Sequence, residues 1–172
     1  CYSILNQHDG SIEVESEPGK GTVFHVYLPA SMNVPAFEAK PAAKEVKGKG
    51  RFLLMDDEAV IRETLGEMLT MVGYEVVTFA EGKAVIDYLR QSPPGLPGIA
   101  AIMLDLTVPG GMGGREAMVE IRKISPVIPI FVSSGYGDDP VMAEPEKFGI
   151  TGSIGKPFRR ATLLQLLQKH LG

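Results

Sequence analysis

Four short groups of polar residues each stand directly behind an apolar run. Asp56-Asp57-Glu58 follows Phe52-Leu53-Leu54-Met55, and Asp105 follows Ile102-Met103-Leu104. Ser133-Ser134-Gly135 follows Ile130-Phe131-Val132, and Lys156-Pro157 follows the run that ends at Ile154. Carboxylates brought together repel one another, so three convergent aspartates need a compensating cation. Oxygen-only ligands favour a hard ion that keeps several waters, which makes Mg2+ the natural occupant and argues against zinc. Mg2+ beside a nucleophilic carboxylate, a lysine and a hydroxyl is an apparatus for phosphoryl transfer. The metal and the lysine neutralise charge on the equatorial oxygens while the carboxylate attacks in line. An aspartyl phosphate is a known kind of covalent intermediate.

Those groups can meet only if the runs before them are neighbouring strands. Phe52–Met55 is continuously apolar, as expected of a strand covered on both faces. Val60, Ile61, Leu65, Met68, Leu69 and Val72 then recur at helical spacing and are closed by Gly73. The alternation continues: strand Tyr74–Phe79, helix Glu81–Arg90, strand Ile99–Leu104, helix Gly113–Lys123, strand Ile128–Val132, a helix over 140–147, strand Ile150–Ile154 and helix Phe158–Leu171. Five strands alternating with five helices predict a doubly wound α/β domain with a parallel sheet. In such sheets ligands bind beyond the carboxyl ends of the strands, where all four polar groups lie. Met55, Met68, Met71, Met103 and Met118 are expected as soft core filler.

Each group has an ordinary structural reading. An Asp after a strand often caps the next helix, as Asp57 or Glu58 could here; Ser-Ser-Gly is a common turn, and Lys-Pro a common surface loop. All four at successive strand ends point to one site.

Composition narrows the functional classes. The 172 residues carry 17 basic and 21 acidic side chains, a net charge of −4, so no general attraction to nucleic acid or anionic membrane is implied. The single cysteine, Cys1, excludes an internal disulfide and a Cys-based zinc cage. No apolar run approaches the length of a membrane span and no signal-peptide layout opens the chain, so a cytoplasmic setting is expected. A first residue other than Met suggests a piece of a longer protein.

Before the α/β segment, Ser11–Glu17 and Thr22–Leu28 alternate like strands around Pro18-Gly19-Lys20-Gly21, which predicts a β-hairpin. Ile12 and Val14 would face one way and Glu13, Glu15 and Glu17 the other. A lone hairpin is marginal in water, so this one should complete a larger sheet or lean on something else. Its exposed edge makes pairing with another copy, and hence a homodimer, an expectation. Residues 31–50, rich in Ala, Lys, Pro and Gly without apolar period, read as a tether.

Residues 51–172 resemble the receiver domain of two-component response regulators. The resemblance rests on Leu53-Leu54-Met55-Asp56-Asp57-Glu58, Met103-Leu104-Asp105-Leu106-Thr107-Val108-Pro109 with Gly113-Gly114, Ile128–Gly135, and Lys156-Pro157-Phe158. It implies a flavodoxin-like fold with strand order 2-1-3-4-5 and Asp105 as phosphoacceptor. Mg2+ would be held by Asp57 and Asp105 directly, by Asp56 through water, and by the backbone carbonyl of Thr107. Ser134 would be the switch hydroxyl on the phosphoryl group; Ser133 competes, but the spacing from Pro129 favours Ser134. Lys156 would pair with the phosphoryl oxygens, and Pro157 would set its loop, through a cis bond if that geometry is used. Two departures stand out. Receivers usually place an aromatic switch residue three positions before the lysine, where this chain has Ser153; the signal would then travel through the loop after Ser134, where Tyr136 lies, or be muted. The loop Pro109–Gly114 is also one residue longer and richer in glycine than usual.

Residues 1–30 resemble the end of a histidine-kinase ATP-binding domain, through Ile4–Gly10, the two strands, and Gly19-Lys20-Gly21-Thr22 as its last glycine box. The earlier ATP-binding motifs and the phosphorylated histidine are absent, and His8 reads as a turn residue. The resemblances together imply the C-terminal piece of a hybrid histidine kinase, with a membrane anchor left open for the parent. Residues 1–30 would be the ATP-binding remnant, 31–50 a linker and 51–172 a receiver. This piece lacks the kinase core and would catalyse only its own aspartyl phosphorylation and dephosphorylation. The expected partner is a histidine kinase or a histidine phosphotransfer domain, with no nucleic acid and no membrane contact. With no output domain after Gly172, the output would be protein contact or onward transfer. Two rivals remain. A haloacid-dehalogenase-type phosphatase would carry a second Asp two residues after its nucleophile, which Asp56-Asp57-Glu58-Ala59 does not provide. A phosphorylation-independent interaction module with a vestigial pocket is favoured only by Ser153.

Overall fold

The computed structural model describes residues 2–30, 47–135 and 140–172. The chain divides into two units, one within residues 1–40 and the other within 41–172. Residues 31–46 of the expected tether, and Tyr136, lie outside the described residues.

In the first unit a short helix, α1 (Tyr2–Gln7), precedes two antiparallel strands, β1 (Ser11–Glu17) and β2 (Gly21–Tyr27). The helix was not foreseen, because six residues are too few to display a helical period. His8 and Asp9 turn the chain out of it: Gly10 N–H donates to the Leu5 carbonyl at 2.8 Å, and Asp9 takes the left-handed conformation that Asp tolerates. The hairpin turns through Gly19 and Gly21, both at positive φ. Ile12 pairs with Val26 and Val14 with Phe24, so one face is apolar, while Glu13 and Glu15 share the other with His25 and Val23. Among the described residues of this unit the apolar face is not covered. Val14 is 59% and Phe24 63% exposed, as the small size of a lone hairpin dictates.

The second unit is a five-stranded parallel sheet of order β4-β3-β5-β6-β7, formed by β3 (Arg51–Met55), β4 (Glu75–Phe79), β5 (Ile99–Asp105), β6 (Ile130–Ser134) and β7 (Gly152–Gly155). Renumbered within this unit the order is 2-1-3-4-5, and the fold is the flavodoxin-like one expected. The strands are apolar throughout because both faces are covered, and alternate residues go to opposite sides. Leu53, Met55, Ile102, Leu104, Ile130 and Val132 pack on α3 (Gly82–Gln91) and α4 (Gly114–Ile124). Phe52, Leu54, Ala101, Met103 and Phe131 pack on α2 (Ala59–Val72) and α6 (Arg160–Leu171).

Three local expectations need correction. The helix expected over 140–147 is broken into α5 (Pro140–Ala143) and a 3-10 turn (Pro145–Phe148). Pro145 cannot donate an N–H, and its ring would strike the carbonyl four residues back, so an α-helix cannot pass it. The last strand starts at Gly152 rather than Ile150. The side chain of Thr151 accepts from Ile130 N–H at 3.0 Å, a place a backbone carbonyl would take in a regular ladder. Met71 is 69% exposed, because position 71 falls off the Leu65–Leu69–Val72 stripe by which α2 is buried.

Candidate functional site

The parallel register brings the polar strand ends to one edge. Met55 pairs with Leu104 and Phe79, Asp105 with Ser133, and Ser134 with Gly155. Asp56 and Asp57 therefore emerge beside Asp105, with Ser134 and Lys156 on the strands beyond. Asp57, Glu58, Asp105, Thr107, Pro109, Ser134, Gly135 and Lys156 line a cavity of about 230 Å3. Of the two competing serines, Ser134 lines it and Ser133 does not. Glu58, read from sequence as a capping residue, occupies the N-cap position of α2 but makes no side-chain capping bond, and stands in the cavity wall instead. The capping role proposed for Asp57 is likewise not used.

Asp56 lies beneath the cavity floor, 1% exposed. Its Oδ1 accepts from the Glu58 N–H at 3.0 Å, closing the turn into α2. Its Oδ2 lies 2.7 Å from Lys156 Nζ, which also sits 3.3 Å from Asp105 Oδ2. Lys156 thus pairs with the buried Asp56 more closely than with Asp105.

Burial pushes the Asp105 carboxyl above its ordinary value; Lys156 works against that, and the charges of Asp56 and Asp57 add to it. For Lys156, burial alone would lower the pKa. The contact with Asp56 and the charge of Asp105 outweigh it, so the ammonium is held above its usual value and stays charged. One cation thus stands among three carboxylates.

The residues present fit Mg2+. Asp56, Asp57 and Asp105 each offer an oxygen within 4.8 Å of the others, and the donors are oxygen alone. Three carboxylates against one ammonium leave excess negative charge, which a hard divalent cation relieves.

The backbone around the site is close-packed. A Cβ on Gly114 would lie 2.6 Å from the carbonyl oxygen of Asp105, so α4 can start this near the site only with glycine there. Ser153 Oγ–H donates to the Met142 carbonyl at 2.8 Å, tying β7 to α5. Lys156-Pro157 is a cis peptide bond. The Ser153 contact and the Gly114 approach each join neighbouring elements of the chain, and the packing of α5 and α4 on the sheet sets their distances.

A sequence profile of the response regulator receiver domain matches residues 52–168. Over 182 aligned positions covering 98% of this chain, it is 30% identical to sensor kinase CckA of Brucella abortus, of which the match covers 19%. It is 32% identical over 120 positions to the chemotaxis protein CheY of Thermotoga maritima, covering 69% of this chain and 95% of that protein. Among solved structures, the receiver domain of sensor histidine kinase PA1611 from Pseudomonas aeruginosa, with a magnesium ion coordinated in its active-site cleft, superposes with a TM-score of 0.61 at 25% identity. That superposition covers 73% of this chain and 99% of the other. The chain spans about a fifth of the length of CckA, the relative that it matches along nearly all of its own residues. With this profile, these relatives and this strand-end geometry, the chain belongs to the response regulator receiver domain family.

Proposed function

We propose that this chain is the phosphoacceptor of a two-component phosphorelay, taking a phosphoryl group from phosphohistidine onto Asp105. The observation that carries the reading is the convergence of Asp57, Asp105, Ser134 and Lys156 on one cavity, with Lys156 Nζ within 3.3 Å of Asp105. In the reaction an Asp105 carboxylate oxygen attacks phosphorus in line. The O–P bond forms as the N–P bond breaks, and the imidazole nitrogen leaves with the electron pair and takes a proton from water. Lys156, kept charged by its acidic neighbours, faces the oxygens on which charge develops. The Ser134 hydroxyl donates to a phosphoryl oxygen. Asp57, Asp105 and the Thr107 carbonyl would hold Mg2+, with Asp56 acting through water. When bound, the ion neutralises charge on the transferring group.

Residues 1–30 would be the end of a histidine-kinase ATP-binding domain, 31–50 a linker and 51–172 the receiver. The alignment with CckA along 98% of this chain supports that hybrid origin. The donor would be a histidine kinase or a histidine phosphotransfer domain, and the chemistry would be cytoplasmic. Neither nucleic acid nor membrane enters the reading. No helix among the described residues is long and apolar enough to cross a membrane. Pairing of two copies through the exposed edge of the hairpin would make a homodimer.

The test is intact mass after incubation with acetyl phosphate, with and without Mg2+, alongside Asp105→Asn. One added phosphoryl group that requires both Mg2+ and Asp105 is expected. No adduct, even with a phosphohistidine donor and short sampling times, would leave a binding module that kept the pocket without the chemistry.

A further inference from the structure

The acidic turn has a feature on its far side that the phosphoacceptor reading does not use. The first α-helical hydrogen bond of α2 runs from Arg62 N–H to the Glu58 carbonyl at 3.1 Å. The carbonyls of Asp56 and Asp57 stand before that point and receive no N–H from the helix. Both are taken instead by the Arg62 side chain: Nη1 donates to the Asp56 carbonyl at 2.7 Å and to the Asp57 carbonyl at 2.9 Å. Every polar atom of Asp56 then has a neighbour. Its N–H donates to the Phe79 carbonyl at 3.1 Å, Oδ1 accepts from Glu58, Oδ2 faces Lys156, and its carbonyl faces Arg62.

Three carboxylates with oxygens within 4.8 Å of one another push their peptides apart. A side chain is aimed by the peptide that carries it, and two successive peptides gripped by one planar guanidinium cannot turn independently. Arg62 contacts neither the reacting carboxylate nor the cavity. It lines a separate crevice of about 200 Å3 with Ala59, Glu63 and Thr78, and that crevice shares no lining residue with the acidic cavity.

We propose that Arg62 is a positioning residue for the cation site, setting the directions of Asp56 and Asp57 through their backbone carbonyls. The inference rests on the Mg2+ reading of the acidic cavity and adds a residue outside that cavity.

The experiment is Mg2+ titration of the full 172-residue chain by calorimetry, with thermal melting of the same samples without Mg2+. The proteins are wild type, Arg62→Gln, Arg62→Lys and Arg122→Gln. Arg122 grips the carbonyls of Ile128 and Gly149, each at 2.7 Å, at the end of α4, and so controls for loss of an arginine clamp elsewhere. Arg62→Gln is expected to weaken Mg2+ binding about 10-fold, the scale on which outer-shell partners of metal ligands act. Arg62→Lys, which keeps the charge on a shorter side chain, should fall between Arg62→Gln and wild type. Arg122→Gln should melt earlier yet bind Mg2+ as wild type does. Phosphorylation of Arg62→Gln by acetyl phosphate should need about 10-fold more Mg2+ and reach the wild-type rate at saturation. Wild-type Mg2+ affinity in Arg62→Gln, or an equal loss in Arg122→Gln, would overturn the proposal. If Arg62→Gln does not fold, Arg62→Lys decides by the same comparison. Wild type binding no Mg2+ would instead remove the reading on which the proposal rests, and that arm shows it separately.

Discussion

Lys156 is closer to Asp56 than to the reacting carboxylate: its Nζ stands 2.7 Å from Asp56 Oδ2 and 3.3 Å from Asp105 Oδ2. Before any phosphoryl group arrives, the lysine serves as counter-ion to a fully buried aspartate. Lys156→Met would strand that charge, and removing one partner of a buried pair is costly. Because the lysine is 14% exposed and water can partly substitute for it, a loss of about 2 kcal/mol is expected in urea unfolding at neutral pH. Adding Asp56→Asn should recover about half of that loss. Phosphorylation by acetyl phosphate should slow about 100-fold, the usual effect of removing one donor from developing charge. A Lys156→Met protein as stable as wild type would show that Asp56 does not depend on the lysine.

Asp105 carries its charge at a cost in stability. Its folded pKa lies above its ordinary value of 3.8, burial first and the neighbouring carboxylates after it. Between the unfolded and folded values the native state binds the extra proton, so stability falls as pH rises through that window and stays lower above it. Asp105→Asn should therefore raise the Mg2+-free melting temperature at neutral pH by a few degrees, on the order of 1 kcal/mol. The gain should shrink as the pH falls through the window. Saturating Mg2+ should narrow the difference from the other side, because wild type gains more from the cation. Melting curves across pH, with and without Mg2+, check the sign of each effect.

Two glycines should respond to alanine in opposite ways. At Gly114 a Cβ would meet the Asp105 carbonyl oxygen at 2.6 Å, and that backbone cannot retreat without moving the phosphoacceptor. Gly114→Ala should cost about 2 kcal/mol and slow phosphorylation as well. Gly66 lies inside α2, where the nearest atom to a Cβ is Val76 Cγ1 at 3.9 Å, an ordinary contact. Gly66→Ala should raise stability by about 0.5–1 kcal/mol through helix propensity and leave phosphorylation unchanged. Urea unfolding of the two variants reads both signs.

Ser153 holds α5 against the edge strand by one hydrogen bond, to the Met142 carbonyl at 2.8 Å. Ser153→Ala should cost about 1 kcal/mol. Hydrogen exchange should quicken in Pro140–Ala143 and Gly152–Gly155 more than in β3 or β5, since only the former pair of elements loses a tie. Uniform quickening would show that the bond contributes to global stability alone.

The edge of the sheet that carries the site was legible residue by residue. Each of Asp56, Asp105, Ser134 and Lys156 is covalently next to, or within two residues of, the strand that delivers it, and a buried parallel strand announces itself by an unbroken apolar run. The stop of α2 at Gly73 was equally local. Pro145 is local too: its missing N–H alone bars the α-helix expected over 140–147. Exposure depends instead on a residue's surroundings in space. Met71 looked like its buried neighbours until the rotation of α2 on the sheet was known.

By itself, then, the sequence determined the strands of the parallel sheet, most of the helices between them and the identity of the polar residues at the strand ends, because those follow from local periodicity and covalent adjacency. The tertiary structure alone decided that Lys156 sits nearer Asp56 than Asp105 and that Arg62 grips the back of the acidic turn. Those are distances between groups on different elements, or on the two sides of one turn. They are set by how the helices pack on the twisted sheet, which no pattern along the chain records.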